Sequence, residues 1–226
     1  MASEATGELV ARFRRARRDR ELAVLEGFHA LKHALRFGAE VLEAVAVDPA
    51  ELGRLAGELA PDLTASLPAR VSPVGEAVLA ELVPQAPRTG VVAIARRPAI
   101  DLAAVLADDR PAPVVLLEDP RNMGNMGACV RVAAGADAAA VLTTGHNDPW
   151  HPDALRGGAG LHFALPVAAV DSLPSSSRPL IAIDPEGEDL RPGELPGRAV
   201  LAFGTERHGL SPELLERADI RLGIPM

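Results

Sequence analysis

Two short stretches carry side chains and backbone suited to chemistry: Asn125-Met126-Gly127-Ala128-Cys129-Val130-Arg131 and Phe203-Gly204-Thr205-Glu206-Arg207-His208-Gly209-Leu210. Each follows an apolar run that reads as a buried strand, so each sets polar groups and glycine backbone at a strand's carboxyl end, where open α/β sheets bind ligands. Gly124 and Gly127, on either side of Asn125, let backbone N–H groups come close to a ligand at the positive end of a following helix. Their Gly-x-x-Gly spacing is not the Gly-x-Gly-x-x-Gly of a dinucleotide site. Arg131, six residues after Asn125, falls about a turn and a half into that helix and reads either as a surface arginine or as a group facing the loop. Glu206, a carboxylate directly behind a strand, reads either as an ordinary loop residue or as part of a site. Gly209 closes that loop before Ser211-Pro212-Glu213-Leu214, a helix start with serine at the N-cap and proline in the first turn.

The elements that must position these loops can be read from periodicity. Phe28, Leu31, Ala34 and Leu35 have helical spacing, Gly38 stops that helix, and a β-branched strand follows at 41–47. A helix is expected at 49–60, a short strand at 69–74, helix at 74–82, and a strand at 89–95 opened by Gly90. The first hundred residues thus form a compact α/β unit. Residues 96–113 are rich in proline, arginine and aspartate around a short helix, as domain connections are. Beyond them, apolar runs at 114–118, 139–143, 180–184, 199–204 and 220–224 alternate with helical or glycine-rich stretches, which implies a largely parallel sheet with helices on both faces.

Composition narrows the class. The chain has 226 residues, 48% of them apolar, and a net charge of −8, so it is globular and does not coat nucleic acid wholesale. It holds neither a stretch of membrane-spanning length nor a signal-peptide core, so a cytoplasmic location is expected. Cys129 is the single cysteine, which excludes an internal disulfide. The six histidines lack metal-ligand spacing, so no metal is expected. Arg12, Arg14, Arg15, Arg17, Arg18 and Arg20 cluster near the amino terminus, but Lys32 is the only lysine among 23 basic residues, and the arginine bias tempers the inference. The cluster reads equally as a solvated helix or as an RNA-contacting arm. Trp150 reads as a base-stacking loop residue or as one that packs on its own domain.

Taken in order, the motifs resemble the SpoU (TrmH) family of RNA ribose 2′-O-methyltransferases in the SPOUT superfamily. Asn125, Gly127 and Arg131 match its first motif, Asn-x-Gly-x-x-x-Arg; Gly204, Thr205, Glu206, Gly209 and Leu210 match its second; Ile224-Pro225-Met226 matches the start of its third. Asp148-Pro149 and the segment from Arg156 to Pro166 resemble the family's middle. Glu26-Gly27-Phe28 and Thr89-Gly90-Val91 resemble its small substrate-binding domain, which is similar to ribosomal RNA-binding proteins.

The resemblance implies an RNA-binding domain over 1–100, a linker over 101–112, and a methyltransferase domain over 113–226 with a carboxyl-terminal trefoil knot. It implies S-adenosylmethionine as cofactor, held by Gly204, Ile224 and Met226, and a homodimer. The substrate would be a ribose 2′-hydroxyl, in ribosomal RNA ahead of transfer RNA. Arg131, Asn125 and Glu206 would form the catalytic group, with Arg131 either taking part in proton removal or holding phosphate and stabilising charge. The family's third motif continues into a Ser-Leu-Asn-Val-Ser segment and a final helix, whereas this sequence stops at Met226. Two expectations follow: either a truncated product, with an incomplete knot, no final helix and weak or absent cofactor binding, or a portion of a longer protein that continues the motif. The alternative is a non-catalytic RNA-binding protein on the same scaffold.

Overall fold

The computed structural model describes residues 2–191, 193 and 195–225. Two compact units are present, Met1–Pro98 with Trp150–Ala164, and Ala99–Pro149 with Leu165–Met226.

The first unit contains α1 (Ala2–Ala16), β1 (Leu22–Glu26), α2 (Phe28–Arg36), β2 (Val41–Ala46), α3 (Pro49–Leu59), β3 (Ser72–Pro73), α4 (Glu76–Leu82) and β4 (Val91–Arg96). Its sheet has the order β1-β4-β2-β3, with β4 antiparallel to β1 and β2, and β3 parallel to β2. Val92 and Ile94, two apart on β4, share one sheet face and pack with Val24, Val45 and the Leu9, Val10 and Phe13 stripe of α1. Asp48 caps α3 by accepting from the Ala50 and Glu51 amides at 2.9 and 3.0 Å, with Pro49 in the first turn. As expected, α2 ends before Gly38, which adopts φ 75°. The strand expected at 69–74 is only two residues long, because Pro68 opens a 3-10 turn over Pro68–Arg70 and Pro73 has no N–H to extend the ladder. Helix α4 starts at Glu76, two residues later than expected.

The second unit contains α5 (Leu102–Ala107), β5 (Val114–Leu117), α6 (Met123–Gly135) and β6 (Ala140–Thr143). The chain then contributes α7 (Pro152–Gly157) to the first unit and returns with β7 (Val167–Ala169), β8 (Leu180–Asp189), β9 (Val200–Phe203), α8 (Pro212–Arg217) and β10 (Ile220–Gly223). All six strands are parallel, in the order β10-β8-β9-β5-β6-β7. The α/β class and parallel sheet read from the sequence are what the chain adopts. Strands such as β5 (VVLL) and β9 (VLAF) are apolar throughout because both sheet faces are covered. Leu116, Leu142, Ala182 and Ala202 meet Leu106 of α5 and Leu214 of α8 on one face. Buried Arg178 fastens the connection after α5, donating to the carbonyls of Val105, Leu106, Asp108 and Ala112 at 2.7–3.3 Å. Among the described residues no helix is long and apolar enough to cross a membrane.

Residues 150–164 pack within the first unit. Trp150 is 4% exposed, with its ring edge-on to Phe163 at 5.1 Å and Arg97 over its face at 5.8 Å, so it serves packing rather than a free stacking surface. Arg156 and Arg17 both pair with buried Glu26, at 2.8 and 2.5 Å. At Gly160 a Cβ would stand 2.6 Å from the Ala30 Cα, a close approach that only glycine permits.

Candidate functional site at the strand switch point

Strands β5, β6 and β7 run outward in one direction from the middle of the second sheet, while β9, β8 and β10 lie on the other side of β5. The strand order reverses between β5 and β9, the position at which open sheets of this kind bind ligands. Both candidate motifs leave from there.

The first motif lies inside a helix rather than in the loop before it. Asn122 is the N-cap of α6, and its side chain accepts from the Asn125 amide at 3.0 Å. This cap overrides the two early glycines, which on propensity alone argue against a helix. The consequence is chemical: the Asn125 N–H expected to face a ligand is already used, and what Asn125 offers is its side chain. That amide donates from Nδ2 to Glu206 Oε1, joining the two motifs across the switch point.

The second motif is a tight return loop. Thr205 and Gly209 exchange backbone hydrogen bonds at 3.0 and 2.9 Å, and the His208 amide donates to Thr205 Oγ1 at 3.1 Å. Glu206 therefore sits near the tip of a hydrogen-bonded five-residue turn. Gly204 lies where that loop folds back on itself, and a Cβ there would stand 2.0 Å from the Gly209 carbonyl carbon. Gly209, at φ 64°, supplies the left-handed bend.

Arg131 lies six residues beyond Asn125 on α6, about 9 Å along the axis and roughly 240° around it. Its side chain is exposed and makes no hydrogen bond or ion pair among the described residues, so the structure joins Asn125 to Glu206 but does not bring Arg131 to them. Ile224 follows β10 and is 56% exposed. Because β8 stands between β9 and β10, strand spacing puts Gly204 and Ile224 about 10 Å apart. Met226 lies outside the described residues. Between those two strand ends, the β8–β10 register jumps from Ala182–Arg221 to Glu188–Leu222, leaving residues 183–187 as an excursion. The Arg221 side chain ties the excursion to β10 through Asp184 Oδ2, and this hydrogen bond, with the Glu186 amide, holds the Asp184 carboxyl below its ordinary pKa.

Three contributors escaped sequence reasoning: Asn122, Thr144 and Glu118. Asn122 stands three residues before Asn125, which is N-cap spacing, and that signal was available. Thr144 Oγ1 accepts from the Asp119 amide at 3.1 Å, and nothing local marks it. Glu118 is a lone charge closing the apolar run of β5; its two carboxylate oxygens accept from Ser211 N and Oγ at 2.7 and 2.6 Å.

An open, doubly wound parallel sheet with a polar pair across its switch point defines a ligand-binding α/β domain. More particularly, the chain belongs to the SpoU rRNA Methylase family, whose model matches residues 112–226. Mouse mitochondrial rRNA methyltransferase 3 is 47% identical over 57 residues, which is 24% of this chain and 14% of that protein. The chain spans about half the length, or less, of the curated relatives it matches. The crystal structure of the SpoU methyltransferase AviRb from Streptomyces viridochromogenes, in complex with AdoMet, shares the fold. Its TM-score is 0.73 at 23% identity, over 96% of this chain and 89% of that one. A crystal structure of an RNA 2′-O ribose methyltransferase matches at TM-score 0.68 and 28% identity, over 95% of this chain and 86% of that one.

Proposed function

We propose that the protein methylates a ribose 2′-hydroxyl of RNA, ribosomal RNA ahead of transfer RNA, using S-adenosylmethionine. The observation that carries this reading is the Asn125–Glu206 hydrogen bond across the β5/β9 switch point, beside the close-packed turn at Gly204. Family membership and the solved relatives support the chemistry: one is an RNA 2′-O ribose methyltransferase and another holds AdoMet.

The residues present fit such a cofactor. Gly204 leaves a strand end free of side chain, and exposed Ile224 supplies apolar area for a flat base, with Met226 following. When bound, the cofactor supplies an electrophilic methyl group on a positively charged sulfur. Asn125 fixes the Glu206 carboxylate by binding Oε1, which leaves Oε2 to accept from the ribose hydroxyl and orient its oxygen. Arg131, permanently charged and set apart from this pair on α6, holds a phosphate of the bound RNA.

The first unit is read as the RNA-binding domain. Arg14, Arg15, Arg18 and Arg20 are exposed and have no ion-pair partner among the described residues, whereas Arg12 and Arg17 are paired with Glu43 and Glu26. A homodimer is supported by α6, where Ala128, Cys129 and Val132 are exposed, Val132 at 70%. The knot expected at the carboxyl end would involve the 183–187 excursion, where the backbones of β8 and β10 approach so closely that a Cβ on Gly187 would meet the Leu222 amide nitrogen at 2.6 Å.

The test is transfer of labelled methyl to ribosomal and transfer RNA, with nuclease mapping of the 2′-O position. Label in ribosomal RNA, lost in Asn125→Ala and Glu206→Ala, is the expected result. RNA retained without label from any fraction would replace this reading with that of a non-catalytic RNA-binding protein.

A further inference from the structure

Glu118 lies outside the motif residues, yet it is bound to both feet of the loop that carries Glu206. Its backbone N–H donates to the Phe203 carbonyl at 2.9 Å, at the loop's entry. Its carboxylate takes two hydrogen bonds from Ser211 at the loop's exit, from the amide at 2.7 Å and from Oγ at 2.6 Å. Ser211 Oγ is used a second time, accepting from the Leu214 amide at 3.2 Å as the N-cap of α8. The half-buried carboxylate thus fixes the span over which residues 204–210 must fold. Seven residues further along Glu118's own segment stands Asn125, which reaches the tip of that loop at Glu206.

The backbone around Glu118 is held by other groups. Thr144 Oγ1 accepts from the Asp119 amide at 3.1 Å, and Asn147 Nδ2 donates to the Pro120 carbonyl at 2.8 Å. Removing the Glu118 side chain therefore frees the exit foot of the loop while leaving β5 and residues 119–122 fastened.

We propose that Glu118 is a positioning residue for methyl transfer: by clamping Ser211 it sets the height of the 204–210 loop, and with it the place of the Glu206 carboxylate against Asn125. This rests on the methyltransferase reading above. Glu118 touches no reacting atom, and its effect passes entirely through Ser211. The geometry also says which substitute should serve. A glutamine can accept from the Ser211 amide through its oxygen and donate to Oγ through its nitrogen, keeping both contacts without the charge. An alanine keeps neither.

The experiment compares Glu118→Ala and Glu118→Gln with wild type by steady-state methyl transfer, cofactor titration and amide hydrogen exchange. Misplacement of a catalytic group by about an ångström costs on the order of a hundredfold in rate. The expected result is therefore a kcat lowered at least tenfold in Glu118→Ala, with KM for RNA and cofactor affinity within about threefold of wild type. Glu118→Gln should recover to within about threefold of wild-type kcat. Amides of residues 205–211 should exchange faster in Glu118→Ala, while those of β5 and β6 do not. A lower melting temperature with wild-type kcat would make Glu118 merely structural and overturn the proposal. So would equal damage in the glutamine variant, because charge rather than the clamp would then matter. Wild-type protein inert on every RNA overturns the methyltransferase reading instead, and unchanged exchange of 205–211 in Glu118→Ala would still sink the clamp.

Discussion

Replacing Gly204 with alanine tests whether the return loop is built on a backbone contact that no side chain tolerates. The added Cβ would stand 2.0 Å from the Gly209 carbonyl carbon, 2.1 Å from its oxygen and 2.3 Å from the Leu210 nitrogen. Ordinary contact begins near 3.4 Å, so the returning strand of the loop must retreat by about 1.4 Å. All three atoms are backbone, and none can rotate away. A retreat of that size breaks the Thr205–Gly209 pair, whose two hydrogen bonds are now 3.0 and 2.9 Å long. At about 1 kcal/mol net for each bond and about 1–3 kcal/mol for overpacking, the cost is about 3–5 kcal/mol. For a chain of this size that corresponds to a fall in Tm of about 6–20 °C. Gly209→Ala is the control: nothing lies within 4 Å of its added Cβ, and only the left-handed φ of 64° is strained, at about 1–2 kcal/mol. Differential scanning calorimetry compares stability, and isothermal titration with S-adenosylmethionine compares function. Gly204→Ala should melt lower than Gly209→Ala and bind the cofactor at least tenfold more weakly than wild type. A Gly204→Ala protein that melts no lower than Gly209→Ala would refute the steric reasoning.

Arg178→Lys should lower Tm by more than 5 °C in a thermal melt, because one ammonium cannot reach the four carbonyls that the planar guanidinium serves, each worth about 1.5–3 kcal/mol when the donor is charged. His33 has its pKa lowered, chiefly by burial, and its Nδ1 lies 2.7 Å from the Ala159 carbonyl, so the neutral ring donates there. The unfolded chain thus binds a proton more readily than the folded one below the ordinary value of 6.5, and stability falls as pH drops from about 7 to 5. Denaturant midpoints should show that slope flattened in His33→Gln, and an equal slope would exclude His33 as its source. Replacing Arg14, Arg15, Arg18 and Arg20 together with alanine should flatten the log–log salt dependence of RNA binding by about 3, from about 0.7 for each phosphate contact to a single strand. Filter binding across a salt series reads that slope, and cofactor affinity should not move.

What the sequence discloses and what it conceals divide along one physical line. Where a residue's surroundings are imposed on a whole segment, they leave a pattern: the double-sided burial of β5, β6 and β9 appears as uninterrupted apolar runs, and the α8 start appears as Ser211-Pro212. Where one distant partner decides, no pattern forms. Strand β1 went unread because it ends in Glu26, a charge that looks like surface and is buried only because Arg17 and, 130 residues away, Arg156 pair with it. Glu118 has the same character, as a carboxylate whose meaning is Ser211, 93 residues on. The site itself belongs to this second kind. Asn125 and Glu206 can each be singled out locally, but they are 81 residues apart, and what makes them partners is that β9 inserts beside β5 rather than beyond β7. With right-handed crossovers, reversing the direction of winding sends the loops after these two strands to opposite faces of the sheet. A crevice must then open between them, and only side chains long enough to bridge it can meet. An amide on the first turn of α6 and a carboxylate at the tip of a clamped loop meet that requirement, which is why the pairing depends as much on Asn122 and Glu118, which set the two backbones, as on the pair that touches.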